Sequence, residues 1–162
     1  MSIEFMLARL TAQSAGLEVD PARGKPELTR EDVMLIASAA PPICFHALMA
    51  KCCDDQISVK KLLEWVWEKS LKEWFSNSEN QAIKVEARQM NRMAELAVLA
   101  FLNPQCPHAT STTTRAAYIG ANEHTYRKNF QPHYAFLAGE LGFLESLGKR
   151  AIYKFKGRND ET

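Results

Sequence analysis

The 162-residue sequence predicts a mainly α fold: a helical bundle body, then a helix-turn-helix module, then a basic C-terminal tail. Three features carry that expectation. Apolar residues recur at three- and four-residue spacing in segment after segment, the period of a helix with one buried face. Prolines and capping residues fall between those segments, where helices start and stop. Apolar–polar alternation is nowhere long enough to build a sheet; AIYKF at 151–155 is the one stretch compatible with a short extended piece.

The opening residues Ile3, Met6, Leu7 and Leu10 share one helical face and predict a short amphipathic helix. The Gly- and Pro-bearing stretch AGLEVDPARGKPEL then reads as a loop ending near Leu28. In TREDVMLIASAA, Thr29 followed by Asp32 can satisfy the free N–H groups of a helix start, and Pro41-Pro42 ends that helix. ICFHALMAKCC is a third helix, stopped by DDQ. Ser58 is the expected cap of the next segment, where Val59, Leu62, Leu63, Val66, Trp67, Ser70, Leu71 and Trp74 form one stripe. Trp65 points off that stripe toward Lys61, Lys69 and Lys72, either as second-layer packing or as an exposed aromatic anchor for a partner. After SNSEN, residues Gln81 to Leu102 read as a helix, apolar on nearly every side from Met93 onward and therefore central and buried.

The loop NPQCPHATS is the expected boundary between a helical body (1–108) and a helix-turn-helix module with its following helix (109–150), with the basic tail at 151–162. In the module, Thr112, Thr113 and Thr114 suit a helix start. Ala116 is the small residue that lets a second helix approach, and Gly120 supplies the left-handed turn. Ile119, Ala121 and Tyr126 clamp the two helices. The second would begin near Asn122 or Glu123, with Glu123, His124, Arg127, Lys128 and Gln131 outward and Tyr126, Phe130 and Tyr134 inward. Asn129 occupies a place usually apolar in such motifs, which Phe130 can fill. Pro132 ends this helix or starts the next. HYAFLAGELGFLESLG then forms a helix closing at Gly148, with Tyr134, Leu137, Leu141 and Leu144 packed. A helical hairpin whose glycine turn serves packing alone fits the same pattern.

Charge favours the nucleic-acid side of that choice. Residues 1–108 hold 12 Lys or Arg against 14 Asp or Glu, whereas residues 109–162 hold 8 against 5. The basic excess thus lies with the motif, and phosphate neutralisation depends on local rather than net charge. Lys149, Arg150, Lys154, Lys156 and Arg158 form a run suited to phosphates; from Asn159 on the chain reads as a frayed end.

Other functions find little support. No apolar run approaches the ~20 residues of a membrane-spanning helix, and the start MSIEFMLARL lacks the pattern of a secretory signal. Cys44, Cys52, Cys53 and Cys106 make a poor disulfide framework, so a reducing cytoplasm is expected. Together with His46 and His108 they number six potential zinc ligands. Their spacing differs from the paired ligands of zinc sites, and no metal or other cofactor is expected. No phosphate-cradling loop, metalloprotease motif or nucleophile elbow appears, so no enzyme is expected.

The chain resembles the late-gene antitermination Q proteins of lambdoid phages, in their shorter, phage 21 type. The resemblance spans essentially its whole length, including MSIEFMLARLTAQSAGLEVDP, PPICFHALMAKCCDDQISVKKLLEWVWEK and TTTRAAYIGANEHTYRKNF. It implies a transcription factor of the bacterial host's cytoplasm. Such proteins bind a double-stranded DNA element beside a late promoter and load onto paused RNA polymerase that still carries sigma. They then narrow the RNA exit channel as a nozzle through which nascent RNA threads, excluding terminator hairpins. By the resemblance, Asn122, Glu123, His124, Arg127, Lys128 and Gln131 would face the groove, with Thr112, Thr113 and Arg115 toward phosphates. Trp65, Lys61 and Lys69, and the 103–111 loop, are the expected partner contacts. The longer lambda type carries zinc-binding cysteine pairs that this sequence lacks. Two other readings remain: a repressor or activator acting only at its DNA site, and a helical adaptor for other proteins.

Overall fold

The structure is a computed structural model and describes residues 29–159, with side chains as far as Lys154. The expected N-terminal helix, the loop to Leu28, the side chains of Lys156 and Arg158, and the last three residues lie outside the described residues. The described elements are α1 (Arg30–Ala39), α2 (Pro42–Cys53), α3 (Gln56–Ser76), a 3-10 turn (Ser78–Ala82), α4 (Ala87–Leu102), α5 (Thr112–Ile119), α6 (Glu123–Thr125), a π-turn (Tyr126–Phe130) and α7 (Gln131–Asn159). The protein is mainly helical, with no strand among the described residues. No described helix is long and apolar enough to cross a membrane.

The chain forms two compact units. One comprises the described residues to Leu62 together with the chain from Phe143 onward, and the other is Leu63–Gly142. The division falls inside α3 and α7, and the 103–111 loop lies within the second unit.

In the first unit, α1 starts as expected. The Thr29 hydroxyl accepts from the Asp32 N–H at 3.1 Å, and the Asp32 carboxylate accepts from the Thr29 N–H at 3.0 Å. Pro42 opens α2, where a missing N–H costs nothing. Asp54, in a left-handed conformation with φ 52°, closes it. Asp55, not Ser58, caps α3: its carboxylate accepts from the Ser58 N–H at 3.0 Å and its carbonyl from the Val59 N–H at 2.9 Å. Ser58 is instead buried, with its hydroxyl 3.0 Å from His46 Nδ1.

Ile36, Leu48, Met49 and Ile152 form the core of this unit, flanked by Val33, Phe45, Cys52 and Cys53. Ile152 belongs to α7, so AIYKF is helical rather than extended; joining the core requires continuing the helical face. Gly148 likewise ends nothing, because α7 runs through it to Asn159. A Cβ there would lie 2.4 Å from Leu48 Cδ1, so the missing side chain lets α7 approach α2.

In the second unit the α3 stripe continues through buried Val66, Ser70 and Trp74. Trp67 departs from it, 41% exposed, with its indole N–H donated to Asn91 Oδ1 on α4. That hydrogen bond holds the ring at the helix margin, where its polar edge is satisfied. Trp65 is half-buried beneath the Lys69 ammonium, 5.3 Å from the ring centroid, and Lys69 also pairs with Glu140 at 3.4 Å. The fourth helix begins at Ala87 rather than Gln81, since the polar stretch before it folds into the 3-10 turn, capped by Asn77. It buries Met90, Met93, Ala94, Leu96, Ala97 and Val98 but leaves Leu99 exposed, so it is covered on one broad face and not all round.

Candidate nucleic-acid interface

Ser111, one residue earlier than the expected threonines, caps α5. Its hydroxyl accepts from the Thr114 N–H and the Thr114 hydroxyl accepts from the Ser111 N–H, both at 3.1 Å. Thr112 is thereby half-buried and Thr113 exposed in the first turn. At the other end Gly120 adopts φ 82°. Its N–H reaches the Ala117 carbonyl at 3.2 Å, and the Ala121 N–H reaches the Ala116 carbonyl at 3.0 Å, the paired closure of a helix stopped by a left-handed residue. Nothing lies within 4 Å of a Cβ placed on Gly120, so the requirement is conformational rather than steric. Ala116 and Ile119 are buried, and Ala121 is half-buried.

The turn is braced from α4. Gln89 Nε2 donates to the Gly120 carbonyl at 3.4 Å, Arg92 Nη1 to the Tyr118 carbonyl at 2.8 Å, and the Tyr118 hydroxyl to Glu95 at 3.2 Å. Carbonyls left without partners at the end of α5 are satisfied in this way. Sequence reading missed this trio. The signal was present: Gln89, Arg92 and Glu95 recur every third residue, a polar line along a helix whose other polar residues are Arg88 and Asn91.

Past the turn, Asn122 caps α6 by accepting from the Thr125 N–H at 2.8 Å. Helical backbone then continues through the π-turn into α7, with the Gln131 N–H bonded to the Tyr126 carbonyl. Pro132 therefore starts the next helix. It has no N–H to donate, and in an uninterrupted α-helix its ring would press on the Lys128 carbonyl; the wider π-turn gives that carbonyl room.

The inner side is as expected. Tyr126, Phe130 and Tyr134 are buried, and Phe130 fills the apolar place beside half-buried Asn129. Trp74 meets Phe130 at 5.9 Å and the edge of His133 at 5.1 Å between ring centroids. His133 Nε2 lies 2.8 Å from the Ser70 hydroxyl, and burial lowers the histidine pKa to about 4. Burial likewise pushes the Tyr126 phenol up to about 12, against the opposing pull of Arg115.

The outer side presents His124, Arg127, Lys128 and Gln131 to solvent. Other expected site residues are engaged within the fold. Asn122 is exposed, but its carbonyl oxygen serves the cap. Glu123 accepts from the Thr113 hydroxyl at 2.9 Å and from Arg127 Nη2 at 2.5 Å. Arg115 is half-buried, its guanidinium 5.2 Å from the Tyr134 ring centroid and its Nε enclosed. Lys128 also lines a cleft of about 670 Å³ with Glu73, Asn80, Lys84, Asn129 and Phe136.

The basic run belongs to the first unit. Arg150 and Lys154 are exposed, whereas Lys149 pairs with Glu145 at 2.6 Å. Burial alone would raise the Glu145 carboxyl, but hydrogen bonds from Lys149 and from Lys51, the latter at 2.7 Å, hold it below its ordinary value. Lys61, also in the first unit, is exposed on α3. Cys44 and Cys106 are buried thiols, and burial raises the Cys44 pKa. Among the described residues no three His, Cys, Asp or Glu side chains converge in a way that would hold a metal ion. Comparison with protein-family models, curated proteins and solved structures found no match to this chain.

Proposed function

We propose that the chain is a transcription antitermination factor. It docks through the Thr112–Gln131 segment on duplex DNA beside a phage late promoter and loads onto paused, sigma-containing RNA polymerase. There it narrows the RNA exit channel. A terminator hairpin needs room for two RNA strands; a bore that passes one suppresses pausing and termination.

The observation that carries the reading is the exposure of His124, Arg127, Lys128 and Gln131 on one helical run immediately after a left-handed glycine. Those side chains carry the donors and acceptors that base edges and phosphates require, and the inward aromatics fix the run from behind. Exposed Arg150 and Lys154 add cationic surface suited to phosphates without regard to sequence.

The test is run-off transcription through a terminator, with purified polymerase, sigma and a template carrying the late promoter. Full-length protein should give read-through far downstream. A repressor acting only at its site would reduce initiation and leave termination intact. A protein-binding adaptor would show no preferred DNA site in a gel shift. Arg127→Ala should weaken specific binding by ~1–3 kcal/mol if Arg127 contacts a guanine edge bidentately. Lys154→Ala should weaken all sequences alike and lower the salt slope by ~1.

A further inference from the structure

Arg127 is already held before any DNA arrives. Its Nη2 donates to Glu123 Oε1 at 2.5 Å one turn back, and the second Glu123 oxygen accepts from Thr113 Oγ1 at 2.9 Å. Three side chains thus link α5 to the helical run beyond Gly120, across the turn that sets the angle between them. The pair is open to water, the Arg127 side chain 63% and that of Glu123 41% exposed. Ion pairs this exposed contribute little to folding.

A carboxylate is also an odd neighbour for a surface meant only to grip phosphates, which it repels. Its effect is better accounted for on the arginine. A long side chain fixed in advance loses less freedom on binding. With one guanidinium nitrogen engaged, donors remain for the paired acceptors of a guanine edge. The same negative charge disfavours the competing use of Arg127 as a simple phosphate contact.

We infer that Glu123, anchored by Thr113, is a positioning and specificity residue that aims Arg127 at a guanine in the major groove. The inference rests on the DNA-binding reading above and assigns the division of labour within that site. Arg127 reads the base, Glu123 orients it and taxes non-specific binding, and Thr113 sets the carboxylate.

The experiment begins by selecting a preferred duplex from a random-sequence library with the full-length protein. Affinity for that duplex and for a scrambled one is then compared across variants. Glu123→Ala should lower the ratio of specific to non-specific binding ~10-fold, a fraction of what a bidentate base contact supplies, with scrambled DNA bound more tightly than before. Thr113→Val, which keeps the shape and removes the donor, should move the ratio the same way by a few-fold and decides the matter if Glu123→Ala proves misfolded by circular dichroism. In an Arg127→Ala background, Glu123→Ala should cause no further loss. An unchanged ratio in the single variants would overturn the inference. So would an undiminished Glu123→Ala effect in the Arg127→Ala background, which would mean that the carboxylate contacts a base itself. Failure of the wild-type chain to prefer any duplex is a separate result, and it removes the DNA-binding reading.

Discussion

His46 and His133 each form a hydrogen bond with a serine of α3, one pair in each unit, yet their surroundings treat them differently. His133 meets Ser70 at 2.8 Å and is 5% exposed beneath Trp74. Burial lowers its pKa to about 4. His46 meets Ser58 at 3.0 Å and is half-buried. Desolvation lowers its pKa too, but Asp55 partly restores the proton affinity while Lys61 opposes it. The same pair of residue types thus gives an acid-sensitive lock in one unit and a milder one in the other. Depth and neighbouring charge set the outcome, not the hydrogen bond itself.

Trp65, Trp67 and Trp74 all lie in the second unit. Tryptophan fluorescence therefore follows that unit, and circular dichroism follows both. Trp74→Ala, which empties the space between Phe130 and His133, should have the largest effect, ~3–5 kcal/mol in urea unfolding read by the remaining tryptophans. Acid comes next. His133 has a folded pKa of about 4 against 6.5 as its ordinary value, so the unfolded chain takes the proton first. The stability of the neutral buried ring is fully present above ~6.5 and lost as pH falls toward ~4, on the order of 3 kcal/mol in total. His133→Gln should flatten the acid slope strongly, while His46→Gln should flatten it less. An equal slope from both histidines would overturn the contrast.

Gly120→Ala forces a side chain into a left-handed backbone and should cost ~1–2 kcal/mol in the fluorescence transition. Gly148→Ala acts instead on the packing of the first unit. Overpacking against Leu48 of ~1–3 kcal/mol is offset by ~1 kcal/mol of improved helix propensity. The net loss is the smallest effect here, and Leu48→Val should relieve it.

Those glycines also mark how far local pattern can be read. Gly120 follows an eight-residue helix, precedes the cap residue Asn122 and has only a conformational duty, so its role was legible. Gly148 looked like another helix end, but its reason is Leu48, a hundred residues away in sequence. The Thr29–Asp32 cap was legible because both partners lie within one turn. The choice of Asp55 over Ser58 was not, since it depends on Ser58 being taken up by His46 across two helices. For the candidate site, the inward set Tyr126, Phe130 and Tyr134 and the outward set His124, Arg127, Lys128 and Gln131 followed from periodicity. The brace from Gln89, Arg92 and Glu95 and the Thr113–Glu123–Arg127 linkage did not, because each joins separate helices.

Local sequence thus sets what depends on neighbours within about two turns: helical periodicity, the Thr29 cap, the stop at Gly120 and the sidedness of the run after it. Tertiary structure alone decided what depends on distant partners. Packing placed Trp67 at a helix edge, carried α7 through Gly148 so that Ile152 could join the core, and buried His133 deeply enough to keep it neutral. The physical reason is range. Backbone hydrogen bonds and steric preferences act over a few residues, whereas desolvation and close packing are fixed only when remote segments meet.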